Sequence, residues 1–256
     1  MRLSARLFAF TVVLLGLGFA GWSLAVRSPY SPWYVARWEV VGKNLQRLEF
    51  VSSDDINVLV YALDPKAFDF SIAAQAEPQR VAAWSSQLVG ERVVINGFYF
   101  LEDQTSAGLL ITQGQALHAQ EFDLDKSGVI RLAPEFDILD TGLEHFSKTG
   151  VTEAGQSYPF LLKQGGESIQ EDSGLLARRT FIGTDEAGQV YVGVVWKDDV
   201  SLFELMQILQ ELDVNWYDVI NLDGGPSTGI AVETGSFVEI LDSAGPVPNV
   251  IVIQPK

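Results

Sequence analysis

Short apolar runs, most of them rich in β-branched residues and separated by turn signals, dominate the chain after its first 45 residues. Alternation of polar and apolar positions, or a continuous apolar run of four to eight residues, is typical of strands. Gly-containing turns at 112–114 and 185–188 join two pairs of these runs as hairpins. Strands are therefore predicted at 57–63, 68–73, 92–95, 108–111, 115–122, 181–184, 189–196, 219–222 and 250–253.

Helical periodicity is rarer and is clearest over residues 202–212. Leucine and methionine recur there at helical spacing. Ser201 stands where an N-cap is needed and Glu204 follows three residues later, which is the pattern of a capping box. A second helix is predicted at 78–88. The pattern as a whole favours a mixed α/β class, rich in strands, with a single domain at 46–256.

The first 26 residues have a different character. Arg2 and Arg6 precede an uncharged apolar run at 7–26, which is typical of an export signal. Ser23 and Ala25 are the small residues of a cleavage site, but the run is also long enough to span a bilayer. A cleaved signal, a retained membrane anchor and a buried core helix all stay open. The first two place the rest of the chain in the periplasm or outside the cell, with residues 27–45 as a spacer.

Composition excludes several function classes. Lys and Arg number 17 against 33 Asp and Glu, a net charge of −16 that repels nucleic acid. The chain has no cysteine, which excludes disulfides, thiolate nucleophiles and iron–sulfur clusters. The two histidines, His118 and His145, show no metal-ligand spacing. No metal site is therefore predicted, although a divalent cation at Asp223 with backbone carbonyls stays open.

The richest segment for chemistry is Asn221-Leu222-Asp223-Gly224-Gly225-Pro226-Ser227-Thr228. A buried strand delivers Asp223 at its end, where catalytic groups are common. Gly224 and Gly225 let backbone N–H groups approach an anion, and the two hydroxyls of Ser227 and Thr228 add donors. The alternative is a tight turn in which Asp223 caps its own backbone.

Two further segments carry candidate binding groups. Arg178 and Arg179 open an apolar strand, and arginine suits phosphate or carboxylate; the alternative is surface pairing with Glu171 or Asp172. Asn96 precedes Gly97 between two apolar runs, which is usual for a hairpin turn. Asn96 could instead present its amide to a sugar hydroxyl, with an aromatic platform at Tyr99.

These segments occur in an order that resembles the phosphodiester glycosidase family. Asn-Gly with aromatics comes first, then a Pro-aliphatic strand ending at Gly, Arg-Thr-x-Ile-Gly with a hairpin, an amphipathic helix, and Asn-Leu-Asp-Gly-Gly-x-Ser. The resemblance covers residues 57–253. It implies an α/β domain that cleaves a sugar from a phosphodiester; a lysosomal member removes N-acetylglucosamine. By position, the implied site is Asn96, Arg179, Asn221, Asp223, Gly224, Gly225 and Ser227, and Thr228 is a further substrate-binding candidate at the same rim.

The resemblance also implies roles. Arg179, with Gly224 and Gly225 N–H groups, would hold the phosphate, while Asp223 would stabilise the sugar cation, act as nucleophile or activate water. Asp185 is the nearest second carboxylate, or else part of a hairpin turn. The expected partner is a glycan phosphodiester of the envelope or an exopolysaccharide. Because Pro226 lacks an N–H, a non-catalytic glycan-binding or polysaccharide-assembly protein is the alternative.

Overall fold

A computed structural model describes residues 37–117, 123 and 126–256. The predicted apolar segment at 7–26 and the first part of the spacer lie outside these residues. No helix within them is long and apolar enough to cross a membrane. The strands are β1 Glu39–Gly42, β2 Leu45–Val51, β3 Asn57–Leu63, β4 Phe68–Gln79, β5 Arg92–Asn96, β6 Leu110–Thr112, β7 Gln115–Ala116, β8 Gly128–Ala133, β9 Asp137–Asp140, β10 Glu153–Ser157, β11 Phe160–Lys163, β12 Gly166–Glu167, β13 Ala177–Asp185, β14 Val190–Val200, β15 Trp216–Asn221, β16 Ile230–Glu233, β17 Val238–Leu241 and β18 Val247–Pro255.

These strands form three antiparallel sheets. The largest has eight strands in the order β1-β2-β3-β14-β13-β15-β11-β12, and the other two have five each, β7-β6-β10-β8-β9 and β17-β16-β5-β18-β4. The strand-rich prediction is confirmed. The described residues add only two α-helices, α1 Val81–Ser86 and α2 Leu202–Glu211, and one 3₁₀ turn at Gly225–Ser227.

The sequence boundary at residue 46 is wrong by several residues. Residues 39–42 and 45, which were assigned to the spacer, already belong to β1 and β2. Val40 pairs with Gln46 across a tight turn that holds Asn44 at φ 59°, a conformation that asparagine tolerates. The weak apolar character of β1, an edge strand with Val40 exposed, is the reason that the pattern did not mark it.

Both faces of the eight-stranded sheet are buried at its centre. Leu59 and Tyr61 of β3 pack into the core shared with the five-stranded sheets, whereas Val58 and Val60 face the cluster formed with α2. A strand covered on both sides has no reason to alternate polar and apolar residues. This accounts for the continuous apolar run at 57–63.

The two helices cover the outer faces. In α2 the Ser201 side chain accepts from Glu204 N–H and Glu204 accepts from Ser201 N–H, so the predicted capping box is confirmed. The helix predicted at 78–88 is shorter than expected. Residues 78 and 79 remain in β4, where Gln79 pairs with Val247, and a proline is tolerated because β4 is an edge strand.

Candidate functional site

The candidate site lies where β15 leaves the eight-stranded sheet. Asp223 follows this strand by two residues. Its Oδ1 accepts from Gly224 N–H at 2.9 Å, and its carboxyl group is also hydrogen-bonded to the Ser227 side chain. Burial raises the pKa of Asp223, against the lowering effect of those two hydrogen bonds. A carboxylate with a raised pKa at a cleft is a candidate acid, base or nucleophile.

Strand register brings Arg179 to the same place. Residues of β15 and β13 pair antiparallel with Asn221 opposite Phe181, and Leu222 N–H donates to Thr180 O at 2.9 Å. If this register is continued by two residues, Asp223 lies opposite Arg179. The backbones are close, because a Cβ on Gly224 would lie 2.8 Å from the Arg178 carbonyl oxygen and 3.9 Å from the Arg179 Cα.

The Arg179 guanidinium is held by backbone carbonyls. Its Nε donates to Val200 O at 2.9 Å and one Nη donates to Leu175 O. No carboxylate of residues 37–117, 123 or 126–256 forms an ion pair with it, so the alternative pairing with Glu171 or Asp172 is not seen. Burial lowers the pKa of Arg179, as expected for a partly desolvated cation.

Asn96 lies behind the site. It is fully buried, and its Nδ2 donates to the Asp223 carbonyl at 2.7 Å. Its Oδ1 accepts from Thr180 Oγ1 at 2.8 Å and from Gly229 N–H at 3.1 Å. With both ends of its amide bonded to protein, Asn96 fixes the Asp223 backbone. The hairpin-turn interpretation of Asn96-Gly97 is wrong, because Asn96 ends β5 and pairs with Val250.

Asn221 and two tyrosines form a second wall. Asn221 Nδ2 donates to Leu222 O at 2.6 Å and to the Tyr99 hydroxyl, which itself donates to Tyr158 O at 3.1 Å. The two tyrosine rings pack 5.0 Å apart between centroids. Asn221 Oδ1 is buried and has no hydrogen-bond partner among the described residues. A buried acceptor without a donor is costly, so it suits a ligand hydroxyl or a bound water.

The glycine turn does not form the expected anion nest in full. Gly224 N–H is bonded to Asp223 Oδ1, and Pro226 has no N–H to offer. The local alternative, in which Asp223 caps its own backbone, is therefore part of the structure. Gly225 adopts φ 58°, which glycine permits without strain. Ser227 and Thr228 are both buried, and Thr228 Oγ1 lies 3.4 Å from Thr180 Oγ1.

An open cleft of about 610 Å³ borders Asp223. Asp223 is the one charged residue in its lining. The other lining residues are uncharged: Pro78, Phe100, Gln104, Gly224, Pro226, Ser227, Gly245 and Pro246. Gln104 also lines a neighbouring cavity of about 290 Å³. The volume of the cleft falls in the ordinary range for small-molecule sites.

Other candidate groups lie elsewhere. Asp185 Oδ1 accepts from Ala187 and Gln189 N–H groups and its Oδ2 from the Tyr191 hydroxyl, so it closes the β13–β14 hairpin at the end of β13 away from Arg179. Within residues 37–117, 123 and 126–256 no three or more His, Asp or Glu side chains cluster as metal ligands. His145 is exposed, and His118 lies outside the described residues.

Sequence reasoning missed several residues that shape the site. Thr180 was quoted only as part of a motif, yet its hydroxyl and carbonyl bond Asn96 and Leu222. Asn249 Oδ1 accepts from Phe98 N–H at 2.6 Å and shapes the Gly97 turn, where a Cβ would lie 2.1 Å from the same oxygen. The only signal for Asn249 was a polar residue at the start of an otherwise apolar run, which by itself points to no contact.

Comparison with known proteins places these features in context. The sequence profile described as phosphodiester glycosidase matches residues 90–254. A search of curated protein sequences found no match. Among solved structures, the catalytic domain of zebrafish N-acetylglucosamine-1-phosphodiester alpha-N-acetylglucosaminidase, auto-inhibited by its pro-peptide, has a TM-score of 0.61 at 14% identity, with 85% of this chain and 86% of that chain covered.

Two bacterial structures share the fold. A hypothetical protein from Synechocystis has a TM-score of 0.60 at 15% identity, covering 88% of this chain but only 64% of the Synechocystis chain. A putative exported protein from Burkholderia pseudomallei has a TM-score of 0.50 at 11% identity, covering 82% and 74%. At these identities the structural likeness supports the fold alone.

Proposed function

We propose that this chain, which belongs to the phosphodiester glycosidase family, is an exported hydrolase that removes a sugar from a sugar-1-phosphodiester of an envelope or extracellular glycan. The observation that carries the proposal is the juxtaposition of Asp223 and Arg179 at the end of the β15–β13 ladder beside an open cleft. The Asp223 carboxylate suits a developing sugar cation or an attacking water, and the Arg179 guanidinium suits a phosphate.

The reaction breaks the bond between sugar C1 and the bridging phosphate oxygen. Water adds its oxygen to C1 and a proton is released, so the products are the free sugar and a phosphate monoester. Phosphate is a good leaving group without protonation, so one carboxylate can suffice where alcohol-leaving glycosidases use two. This fits the cleft lining, in which Asp223 is the one carboxylate.

In this proposal Asp223 acts on the sugar side. Its half-buried carboxylate has a raised pKa, which makes it a better proton acceptor than an exposed aspartate. Asn96 and Gly97 hold the Asp223 backbone, through the 2.7 Å bond from Asn96 Nδ2 and the 3.3 Å bond from Asp223 N–H to Gly97 O. We assign Asn96 as a positioning residue, since its amide is used within the protein.

In this proposal Arg179 acts on the phosphate side. Two of its five N–H groups are bonded to backbone carbonyls, and no described carboxylate forms an ion pair with it, although the charge of Asp199 acts on it. A fixed, partly desolvated guanidinium stabilises charge that develops on a departing phosphate. Asn221 Oδ1 is buried and has no hydrogen-bond partner among the described residues, so it is an acceptor for a sugar hydroxyl or for a water that bridges to one.

A non-catalytic glycan-binding or polysaccharide-assembly role is the second candidate. The observation in its favour is the incomplete anion nest, in which Gly224 N–H is bonded to Asp223 and Pro226 has none. Under this reading the cleft would still hold a sugar, and Arg179 would bind a phosphate without cleavage.

Hydrolysis of UDP-N-acetylglucosamine and a panel of sugar-1-phosphodiesters by the purified protein tests the proposal. Turnover by the wild type that Asp223→Asn and Arg179→Ala both lose would support the hydrolase. The same turnover in the Asp223→Asn variant would remove Asp223 from catalysis. Absence of turnover across the panel, with retained sugar binding, would favour the glycan-binding candidate.

A further inference from the structure

Two neighbouring leucines project from the loop between β12 and β13. The side chains of Leu175 and Leu176 are 72% and 61% exposed, and every residue from 171 to 174 in the same loop is exposed and non-aliphatic. Single exposed apolar residues need no explanation. Two consecutive exposed leucines, on a loop that contacts the candidate binding residue Arg179, do need an explanation.

The loop is tied directly to Arg179. One Nη of the guanidinium donates to the Leu175 carbonyl, and its Nε is bonded to Val200 O, so the cation and the first leucine keep a fixed relation. Neither Arg178 nor Arg179 forms an ion pair with any carboxylate that the structure describes. In a chain of net charge −16, two consecutive arginines without an ion pair are a local exception, although the charge of Asp199 acts on Arg179 and the loop also carries the exposed acids Glu171 and Asp172.

The two sides of the site therefore differ in chemistry. The cleft beside Asp223 contains no Lys or Arg in its lining and suits an uncharged sugar. The backbone of Arg178 and Arg179 passes beside Gly224, whose Cβ would stand 2.8 Å from the Arg178 carbonyl oxygen and 3.9 Å from the Arg179 Cα. Leu175 and Leu176 precede these arginines in the chain, separated from them by Ala177.

We propose that the group beyond the phosphate is an apolar chain, so that the ligand is an isoprenyl or alkyl phosphate carrying the sugar. The phosphate lies at Arg179, and the first carbons of the chain contact Leu175 and Leu176. An amphiphilic phosphodiester requires a cation for its phosphate and an adjacent apolar surface for its chain. A nucleotide or a second sugar would not use the apolar surface. The assignment of sugar and phosphate rests on the proposed function.

Binding without turnover tests the leucines. Geranyl phosphate and methyl phosphate are titrated by calorimetry against the full chain, below the concentration at which geranyl phosphate self-associates. We expect geranyl phosphate to bind at least about tenfold more tightly, a difference produced by burying apolar surface. We expect the double variant Leu175→Ser/Leu176→Ser to lose that difference and Leu143→Ser, which alters another highly exposed leucine, to keep it.

Equal affinity for the two phosphates, or a preference that survives the double substitution, would overturn the inference. A second arm uses vesicles of phosphatidylglycerol. If the double variant loses vesicle binding but keeps the wild-type affinity for geranyl phosphate, the leucines dock to a membrane surface and the inference is again overturned.

The hydrolysis assay separates this inference from the proposed function. The rates of hydrolysis of two phosphodiesters are compared: one joins N-acetylglucosamine 1-phosphate to a methyl group, and the other joins it to a geranyl group. Cleavage of both at equal rates, with equal binding of the two phosphates, would leave the hydrolase intact and reject the apolar aglycone. Leucine-dependent binding of geranyl phosphate with cleavage of neither diester would reject the hydrolase and keep the binding site.

Discussion

The side chain of Asn96 donates a 2.7 Å hydrogen bond to the backbone carbonyl of Asp223, across 127 residues of sequence. This bond joins the end of β5 in a five-stranded sheet to the end of β15 in the eight-stranded sheet. The position of the candidate catalytic carboxylate therefore depends on the docking of two sheets, and its backbone is held by a residue that is fully buried.

Replacing Asn96 by alanine should weaken the fold as well as the site. It removes the bond to Asp223 and leaves Gly229 N–H and the Thr180 hydroxyl without their acceptor. We expect a loss of about 2 kcal/mol in the free energy of unfolding, measured by urea titration. Asn215→Ala, at an exposed asparagine, is the matched control and should change it little. Equal stability of the two variants would contradict the positioning role.

Replacing Asp223 by asparagine should abolish turnover and stabilise the fold at neutral pH. Burial raises the pKa of Asp223, so the folded protein holds its proton more tightly than the unfolded chain does. Ionised Asp223 therefore reduces the free energy of unfolding at pH 7, and the reduction disappears as pH falls below the unfolded value of about 3.9. The melting temperature of Asp223→Asn should exceed that of wild type at pH 7 and match it near pH 3. Asp213→Asn, at an exposed site, should show no such difference.

The same pKa shift sets the acid limb of activity. If ionised Asp223 accepts a proton or stabilises the sugar cation, kcat/KM should fall as pH decreases through its raised pKa, above the ordinary aspartate value of about 3.9. A pH profile of kcat/KM on a sugar-1-phosphodiester measures this. If the acid limb of kcat/KM instead has a pKa at or below the ordinary aspartate value, the assigned burial of Asp223 is contradicted.

Arg179 should matter most when the leaving group is a phosphate. Arg179→Ala removes a fixed cation, and we expect kcat to fall about 10²-fold on a sugar-1-phosphodiester. An aryl glycoside of the same sugar, with no phosphate, should be affected much less. Arg80→Ala, an exposed arginine, controls for net charge. Equal losses on both substrate types would point to a structural role for Arg179.

The α2 capping box gives a stability prediction apart from the site. Ser201 Oγ accepts from Glu204 N–H at 3.1 Å, and the Ser201 side chain is buried. Ser201→Ala should lower the free energy of unfolding by about 1 kcal/mol without altering catalysis. Thermal unfolding of this variant beside Ser53→Ala, an exposed serine, provides the measurement.

Local pattern was enough to predict both α-helices and about half of the strands that the structure describes. The capping box and periodicity of α2 involve neighbours within four residues, and the hairpin of β13 and β14 is closed by its own turn. The family and the Asn221–Ser227 motif were likewise readable, because they are contiguous strings of residue types. Where the local signal was weak, as in β1, or shared with a turn, as at Asn96-Gly97, the interpretation from sequence failed.

Only the tertiary structure decided how the candidate groups meet. The sequence allowed Arg179 to be a surface ion-pair partner or a ligand, and the register of β15 against β13 placed it alongside Asp223 instead. The sequence allowed Asn96 to face a sugar, and the packing of two sheets buried it behind the carboxylate. Residue types and short-range patterns are fixed by the chain itself, whereas exposure, pairing and pKa depend on segments that are distant in the sequence and that only folding brings into contact.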